Sequence, residues 1–352
     1  MSETLSIALS QCNPIVGAIS YNVDLIRDAR KDAASQGAHV VVYPELAITG
    51  YPPEDLVLRP VFQQRAMRAA EELAKDTADG GPAMIVGGIW VEKKAIYNAM
   101  FYLADGEMKD IQCKVNLPNY GVFDEARVFT KGMLPDPIEI HGVKLGVVIC
   151  EDTWTPEVSR ALKRKGAEVI VSSNASPYET TKADVRRNIV GARVEETGLP
   201  FLYLNIVGGQ DEIVFDGGSF VMDVNGDEIG RMAQHESDLA VIHWHKDNGV
   251  VKADHLPHRA RQSKEESMYQ TLVLGMKDYV RKTNMPGVLL GLSGGIDSAL
   301  TASIAVDALG PDKVRAYMLP SRYTSKDSLE DAAQVAKLLG IQLKEVHIEQ
   351  GV

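Results

Sequence analysis

KLGVVICEDTW, Lys144 to Trp154, is an apolar run that ends on a cysteine and is followed at once by two carboxylates. Leu145 to Ile149 is too short for an independent helix and has the composition of a buried strand. Strands of this kind belong to parallel sheets, and α/β folds collect their functional groups at the carboxyl ends of such strands. Cys150 stands at that end, beside Glu151 and Asp152.

Working outward, the same strand signal recurs in LSIALSQ, HVVVYPEL, AMIVGGIWV, EVIVSSNAS and PFLYLNIVG. Each is rich in Val, Ile or aromatic residues and ends on turn-forming or functional residues. Between them, YNVDLIRDARKDAASQG, VFQQRAMRAAEELAKDTADG and DVRRNIVGARVEETG carry apolar residues at helical spacing and stop at Gly37, Gly80 and Gly198. Short strand–helix–strand units predict α/β layering. In SFVMDVNGDEIGRM, Asn225-Gly226 between two alternating runs predicts a hairpin, and LAVIHW a last strand. From Lys246 to Lys264 the chain is polar and aperiodic, which reads as a linker and a domain boundary. Beyond it, EESMYQTLVLGMKDYVRKTN, GVLLGLS, SALTASIAVDALG, VRAYMLP, SLEDAAQVAKLLG and QLKEVHIE restore the alternation. That stretch holds about three parallel strands, few for an independent doubly wound domain, so the second domain reads as incomplete.

The 352 residues allow more than one core, and the net charge of −11 is spread along the chain, which argues against a nucleic-acid partner. Three cysteines without zinc spacing suggest a reducing compartment. The N-terminus lacks signal-peptide character and no apolar run reaches membrane-helix length, so the expected location is cytoplasmic, with no membrane partner. His243-x-His245 and His255-x-x-His258 lack a helical frame or nearby cysteines and read as surface histidines, not metal ligands.

A nucleophilic cysteine needs a base or a cation, and the acids beside Cys150 would raise its pKa. Help must come from other strand ends. VVYPELAITGYPPEDL ends a buried strand on Glu45, a possible proton acceptor, and QCKVNLPNYGVFDEARVF offers Lys114 as a positive charge. Taken singly, each also fits a solvated surface residue.

The order of these three, Glu in PELAITGY, Lys before LPNYGVFDE and Cys in ICEDTW, resembles the nitrilase (carbon–nitrogen hydrolase) superfamily from the start of the chain to about His245. The resemblance implies a four-layer α-β-β-α sandwich in residues 1–245. It also implies Cys150 as nucleophile toward an amide or nitrile carbon, Glu45 as general base and Lys114 as stabiliser of the tetrahedral intermediate, with Glu125 supporting them. LPNYGVFDE and SNASPYETTK look like the variant in glutamine-hydrolysing members, where Tyr120, Ser176 and Lys182 would hold glutamine. Lys182 could pair the α-carboxylate, and Tyr120 and Ser176 could supply hydrogen bonds. Cys113 stands where an arginine is frequent, and Val128 where an aromatic is.

GLSGGIDSAL, Gly291 to Leu300, joins a strand to a helix. Its glycines allow close backbone approach, and a helix start offers free N–H groups to an anion. The lysine of a Walker A loop is missing. The stretch resembles the SGGxDS pyrophosphate loop of the ATP pyrophosphatase superfamily, and its flanks look like the NAD synthetase family. The resemblance assigns Gly291, Leu292, Ser293, Gly294, Gly295, Ile296, Asp297 and Ser298 to ATP, in the first part of a Rossmann-like parallel α/β domain (265–352). Asp297 could also meet a phosphate-bound magnesium.

Together the halves resemble the glutamine-dependent NAD synthetase family. That implies glutamine, ATP and deamido-NAD as substrates, Mg2+ as cofactor, no prosthetic group, and a homo-oligomer. Two alternatives stay open: a stand-alone amidase with a non-catalytic nucleotide-binding segment, and a nucleotide-responsive binding module with an inert cysteine.

Overall fold

The computed structural model describes residues 3–247, 250–253 and 258–348. Two compact units emerge: Met1–Gly208 with Phe215–Gln262, and Gly209–Val214 with Ser263–Val352.

The first unit contains two sheets. A seven-stranded sheet runs, in spatial order, Val250–Ala253, Asp238–Asp247, Glu3–Gln11, Val40–Val42, Ala83–Glu92, Ala95–Ala104 and Glu107–Cys113. A six-stranded sheet runs Glu228–Arg231, Phe220–Met222, Phe201–Asn205, Val169–Asn174, Val143–Ile149 and Ile138–Ile140. Their facing sides interdigitate in one apolar core, with Leu5, Ile7 and Trp244 from the first sheet and Leu145, Val147 and Leu202 from the second. The opposite side of the six-stranded sheet, including Val148, packs under the helices Pro156–Arg164 and Lys182–Thr197 through Val158, Leu162 and Val190. The helices Ile19–Ser35 and Pro60–Asp76 belong to the other sheet's half. This is the expected α-β-β-α sandwich.

The opening stretch is therefore covered on both faces. Leu145, Val147 and Ile149 face the partner sheet, and Gly146 faces the helices, where a Cβ would already lie 3.0 Å from Leu162. Each large aliphatic side chain buried this way contributes about 1.5–3 kcal/mol. That explains why the strand is apolar without alternation.

Two readings need correction. PFLYLNIVG is not one strand: Phe201–Asn205 stays in the six-stranded sheet, and Val207–Gln210 starts a separate two-stranded ribbon with Ile213–Asp216. The 246–264 stretch is not a free linker. Val250–Ala253 pairs antiparallel with Trp244–Asp247, and Arg231 bridges His258. Alternation over four residues is too short a signal to stand out from polar surroundings, and pairing with a long neighbour decides it. The Asn225-Gly226 hairpin forms as read, with Asp223 accepting from the Asn225 and Asp227 amides.

In the second unit, a parallel sheet orders Val288–Gly291, Val314–Met318 and Gln342–Glu345. Helices Ile296–Leu309 and Lys326–Leu339 connect the strands and pack through Ala302, Ala305, Ala332 and Ala336. Lys264–Lys282 precedes them, capped reciprocally by Ser263 and Glu266. Among the described residues no helix is long and apolar enough to cross a membrane.

Candidate active site

The carboxyl ends of strands from both sheets of the first unit converge on Glu45, Lys114 and Cys150. Glu45 follows Val40–Val42, Lys114 follows Glu107–Cys113, and Cys150 opens the turn after Val143–Ile149. All three are buried, Glu45 and Lys114 completely.

Lys114 Nζ lies 2.6 Å from Glu45 Oε1 and 2.8 Å from Glu125 Oε1. Burial alone would drive this ammonium toward its neutral form, but Glu125 and Glu45 outweigh it and hold its pKa well above the ordinary lysine value. Burial pushes Glu125 up, against the pull of Lys114 and with the repulsion of Glu45. Glu45 is fixed by three donors: Lys114, the Asn98 amide at 2.7 Å and the Ala175 main-chain N–H at 2.9 Å. Tyr51 donates to Glu125 at 2.9 Å.

Cys150 has φ 45°, in the left-handed region that is uncommon for a residue with a side chain. Burial, then Glu45, raises its thiol well above the usual range, and Lys114 opposes them. A neutral thiol beside a fixed carboxylate and a permanent cation is suited to attack in which the carboxylate takes the proton as the S–C bond forms.

Glu45 can take up this position because strand Ala83–Glu92 passes very close at Gly87. A Cβ there would stand 2.4 Å from Leu46 N and 2.5 Å from Pro44 O, both main-chain atoms that cannot rotate away. Gly87→Ala is expected to displace Glu45 and lower amide hydrolysis by about 10²-fold. Overpacking should cost a further ~1–3 kcal/mol of stability. Steady-state rates and denaturant midpoints measure both.

The residues read as glutamine contacts lie around this centre. Tyr120, half exposed, donates to Glu151 at 2.9 Å. Ser176 is buried, and its hydroxyl accepts from Arg186 at 3.0 Å. Lys182 Nζ pairs with Glu179 at 3.0 Å and sits 4.8 Å over the Trp154 ring. Sequence reading missed Asn98, Tyr51 and Arg186. Asn98 had a usable signal, a lone amide in the apolar strand AIYNAMFYLA. Buried Arg186 also binds the Ser176 and Pro177 carbonyls and Asp216, so it shapes the loop that carries Ser176.

In the second unit the Gly291–Ser298 loop leads into helix Ile296–Leu309. Ser298 Oγ receives the Ser293 N–H at 3.2 Å and donates to Gly295 O at 2.9 Å, which closes the loop. Leu292 is 1% exposed in the core of this unit, so its side chain anchors the loop from below. Gly294 has φ 85°, and a Cβ would meet Ser328 O at 2.4 Å. Gly294→Ala is therefore expected to distort the loop and cost about 1–3 kcal/mol of stability, read from the denaturant midpoint.

Of the histidines, His243 meets Ser6 Oγ at 2.8 Å, His258 lies 3.7 Å from Glu228, and His255 is outside the described residues. Among the described residues no group of three or more His, Cys, Asp or Glu could hold a metal.

Residues 6–245 match the carbon-nitrogen hydrolase family and residues 268–352 match NAD synthase. The chain is 46% identical over 351 residues to a glutamine-dependent NAD(+) synthetase of Rhodobacter capsulatus, covering 99% of this chain and 63% of that protein. The solved glutamine-dependent NAD+ synthetase from Acinetobacter baumannii, in complex with ADP, superposes with a TM-score of 0.93 at 37% identity, over 98% of this chain and 65% of that one. An amidase from Nesterenkonia sp. AN1, solved with acrylamide, aligns with a TM-score of 0.61 at 28% identity over 68% of this chain and 90% of its own. The chain thus spans a little under two thirds of the length of these synthetases.

Proposed function

This chain belongs to the carbon–nitrogen hydrolase family, and from that premise we propose that it hydrolyses glutamine at Cys150 and feeds the ammonia to ATP-dependent synthesis of NAD. The observation that carries the reading is the buried Glu45–Lys114–Glu125 cluster around the Cys150 thiol. The relatives' names and the Gly291–Ser298 loop supply the second half.

In the first reaction Glu45 accepts the thiol proton as sulfur bonds to the side-chain amide carbon of glutamine. Lys114 stabilises the oxyanion, and Glu45 returns the proton to the departing nitrogen. Ammonia leaves and a thioester remains. Water then attacks, giving its proton to Glu45, and glutamate and the free thiol are released. Glu125 keeps Lys114 in place. Lys182 receives the α-carboxylate, with Tyr120 and Ser176 as hydrogen-bonding groups.

In the second reaction ATP adenylates the carboxylate of deamido-NAD, pyrophosphate leaves, and ammonia displaces AMP to form the amide. The loop's main-chain N–H groups and the start of helix Ile296–Leu309 hold phosphate. Asp297, in the first turn of that helix, fits a phosphate-bound magnesium, which needs only one or two protein carboxylates. Magnesium when bound would offset phosphate charge. The first unit is the glutaminase domain and the second belongs to the synthetase half. The enzyme works in the cytoplasm as a homo-oligomer.

The test supplies amide-15N glutamine, ATP, magnesium and deamido-NAD, with glutamate and 15N-NAD followed by mass spectrometry. Labelled NAD supports both halves. Glutamate alone supports the first and removes the second from this chain, and no glutamate overturns glutamine as the substrate of Cys150.

A further inference from the structure

We propose that Asp152 is a positioning residue that sets Lys114 against Cys150, a role that rests on the amide-hydrolase reading above. Its side chain is 2% exposed. The carboxylate accepts three main-chain N–H groups: Asn116 at 2.7 Å, Val115 at 3.1 Å and Ile149 at 3.3 Å.

These donors come from two different sheets. Val115 and Asn116 directly follow Lys114, beyond the edge strand of the seven-stranded sheet. Ile149 directly precedes Cys150, at the end of a strand of the six-stranded sheet. One carboxylate therefore ties the main chain after the cation to the main chain before the nucleophile. The Lys114 main chain is otherwise held on its own side, donating to Asn98 O at 2.8 Å and accepting from Gly132 N at 2.8 Å. Glu45 and Glu125 grip Nζ, at the far end of a flexible side chain, whereas Asp152 fixes where that side chain starts.

The cysteine side needs the same restraint. Cys150 adopts φ 45°, and the tight turn Cys150–Thr153 begins there. Three main-chain N–H groups converge on one buried carboxyl, so Asp152 holds this unfavoured turn and the lysine segment together, most strongly in its ionised form. Burial pushes the Asp152 carboxyl up to about 7, against the pull of the Asn116 amide and the Lys114 charge. Asp152 does not meet the substrate. It acts through the two groups that do.

The experiment compares this chain with Asp152→Asn and with Asn116→Pro, which deletes the nearest donor while leaving Asp152. Asn116→Ala controls for the lost side chain. Glutaminase kcat and KM are measured per folded molecule, and iodoacetamide labelling of Cys150 is timed by peptide mass spectrometry. Asp152→Asn and Asn116→Pro are expected to lower kcat about 10²-fold while KM changes by less than about threefold. Labelling of Cys150 in Asp152→Asn should slow about tenfold as Lys114 shifts from the thiol. A folded Asp152→Asn with near-parental kcat overturns the proposal. So does a loss that vanishes on correction for folded fraction, or failure of both variants to fold, since each leaves only a structural role. Absence of glutamate from the parent chain would sink the glutamine reading alone, and the labelling rates would still judge Asp152.

Discussion

Replacing Cys150 by alanine is expected to lower glutamine hydrolysis by about 10⁴-fold or more, since removing a covalent nucleophile also idles the base and cation arranged around it. Little stability should be lost, because the new side chain is smaller by one sulfur only and a neutral thiol gives up no charge. Rates on glutamine and a thermal melt, run together, check this. A variant within about tenfold of the parent would end the assignment of Cys150 as nucleophile. The parent offers a matching pH signature. Burial and Glu45 hold the thiol well above its ordinary value, so the thiolate fraction keeps growing with pH. Alkylation of Cys150 should still accelerate above pH ~9, where a cysteine paired with imidazolium would have levelled off near neutrality.

Lys114→Met is the second large effect. The ammonium is fully buried between Glu45 and Glu125 at 2.6 and 2.8 Å. Without it two buried carboxylates face each other uncompensated, and one must take up a proton or the site must open. A loss of about 3–5 kcal/mol is expected, together with loss of turnover. A compensating change separates the two losses. Adding Glu125→Gln to Lys114→Met leaves one buried carboxylate in place of two, so the denaturant midpoint should recover in part while activity stays absent. Recovery of activity in the double variant would show that no positive charge is needed at the oxyanion.

Family identity was readable from three short motifs because Glu45, Lys114 and Cys150 each sit in a recognisable local context. The supporting shell was harder to read. Asn98 and Tyr51 look like ordinary strand and turn residues, and Asp152 looks like one more acid after a cysteine. Their roles depend on partners far along the chain: Asn98 reaches Glu45 across 53 residues, and Asp152 reaches Asn116 across 36. Lys182 shows the same limit. Its place near the site was legible, but its pairing with Glu179 and the Trp154 ring was not.

By itself the sequence determined the alternation of strands and helices, the hairpin at Asn225-Gly226, the strand ends that carry Glu45, Lys114 and Cys150, and the glycine-rich turn at Gly291–Ser298. Those follow from side-chain periodicity and backbone preference over a few residues, which act before any distant contact forms. Only the tertiary structure decided that Phe201–Gln210 divides between two sheets, that Val250–Ala253 pairs with its neighbour, that Leu292 points into a core, and that Lys114 stays charged in complete burial. Each of these depends on which surfaces meet across the fold, and a buried charge is set by its neighbours in space.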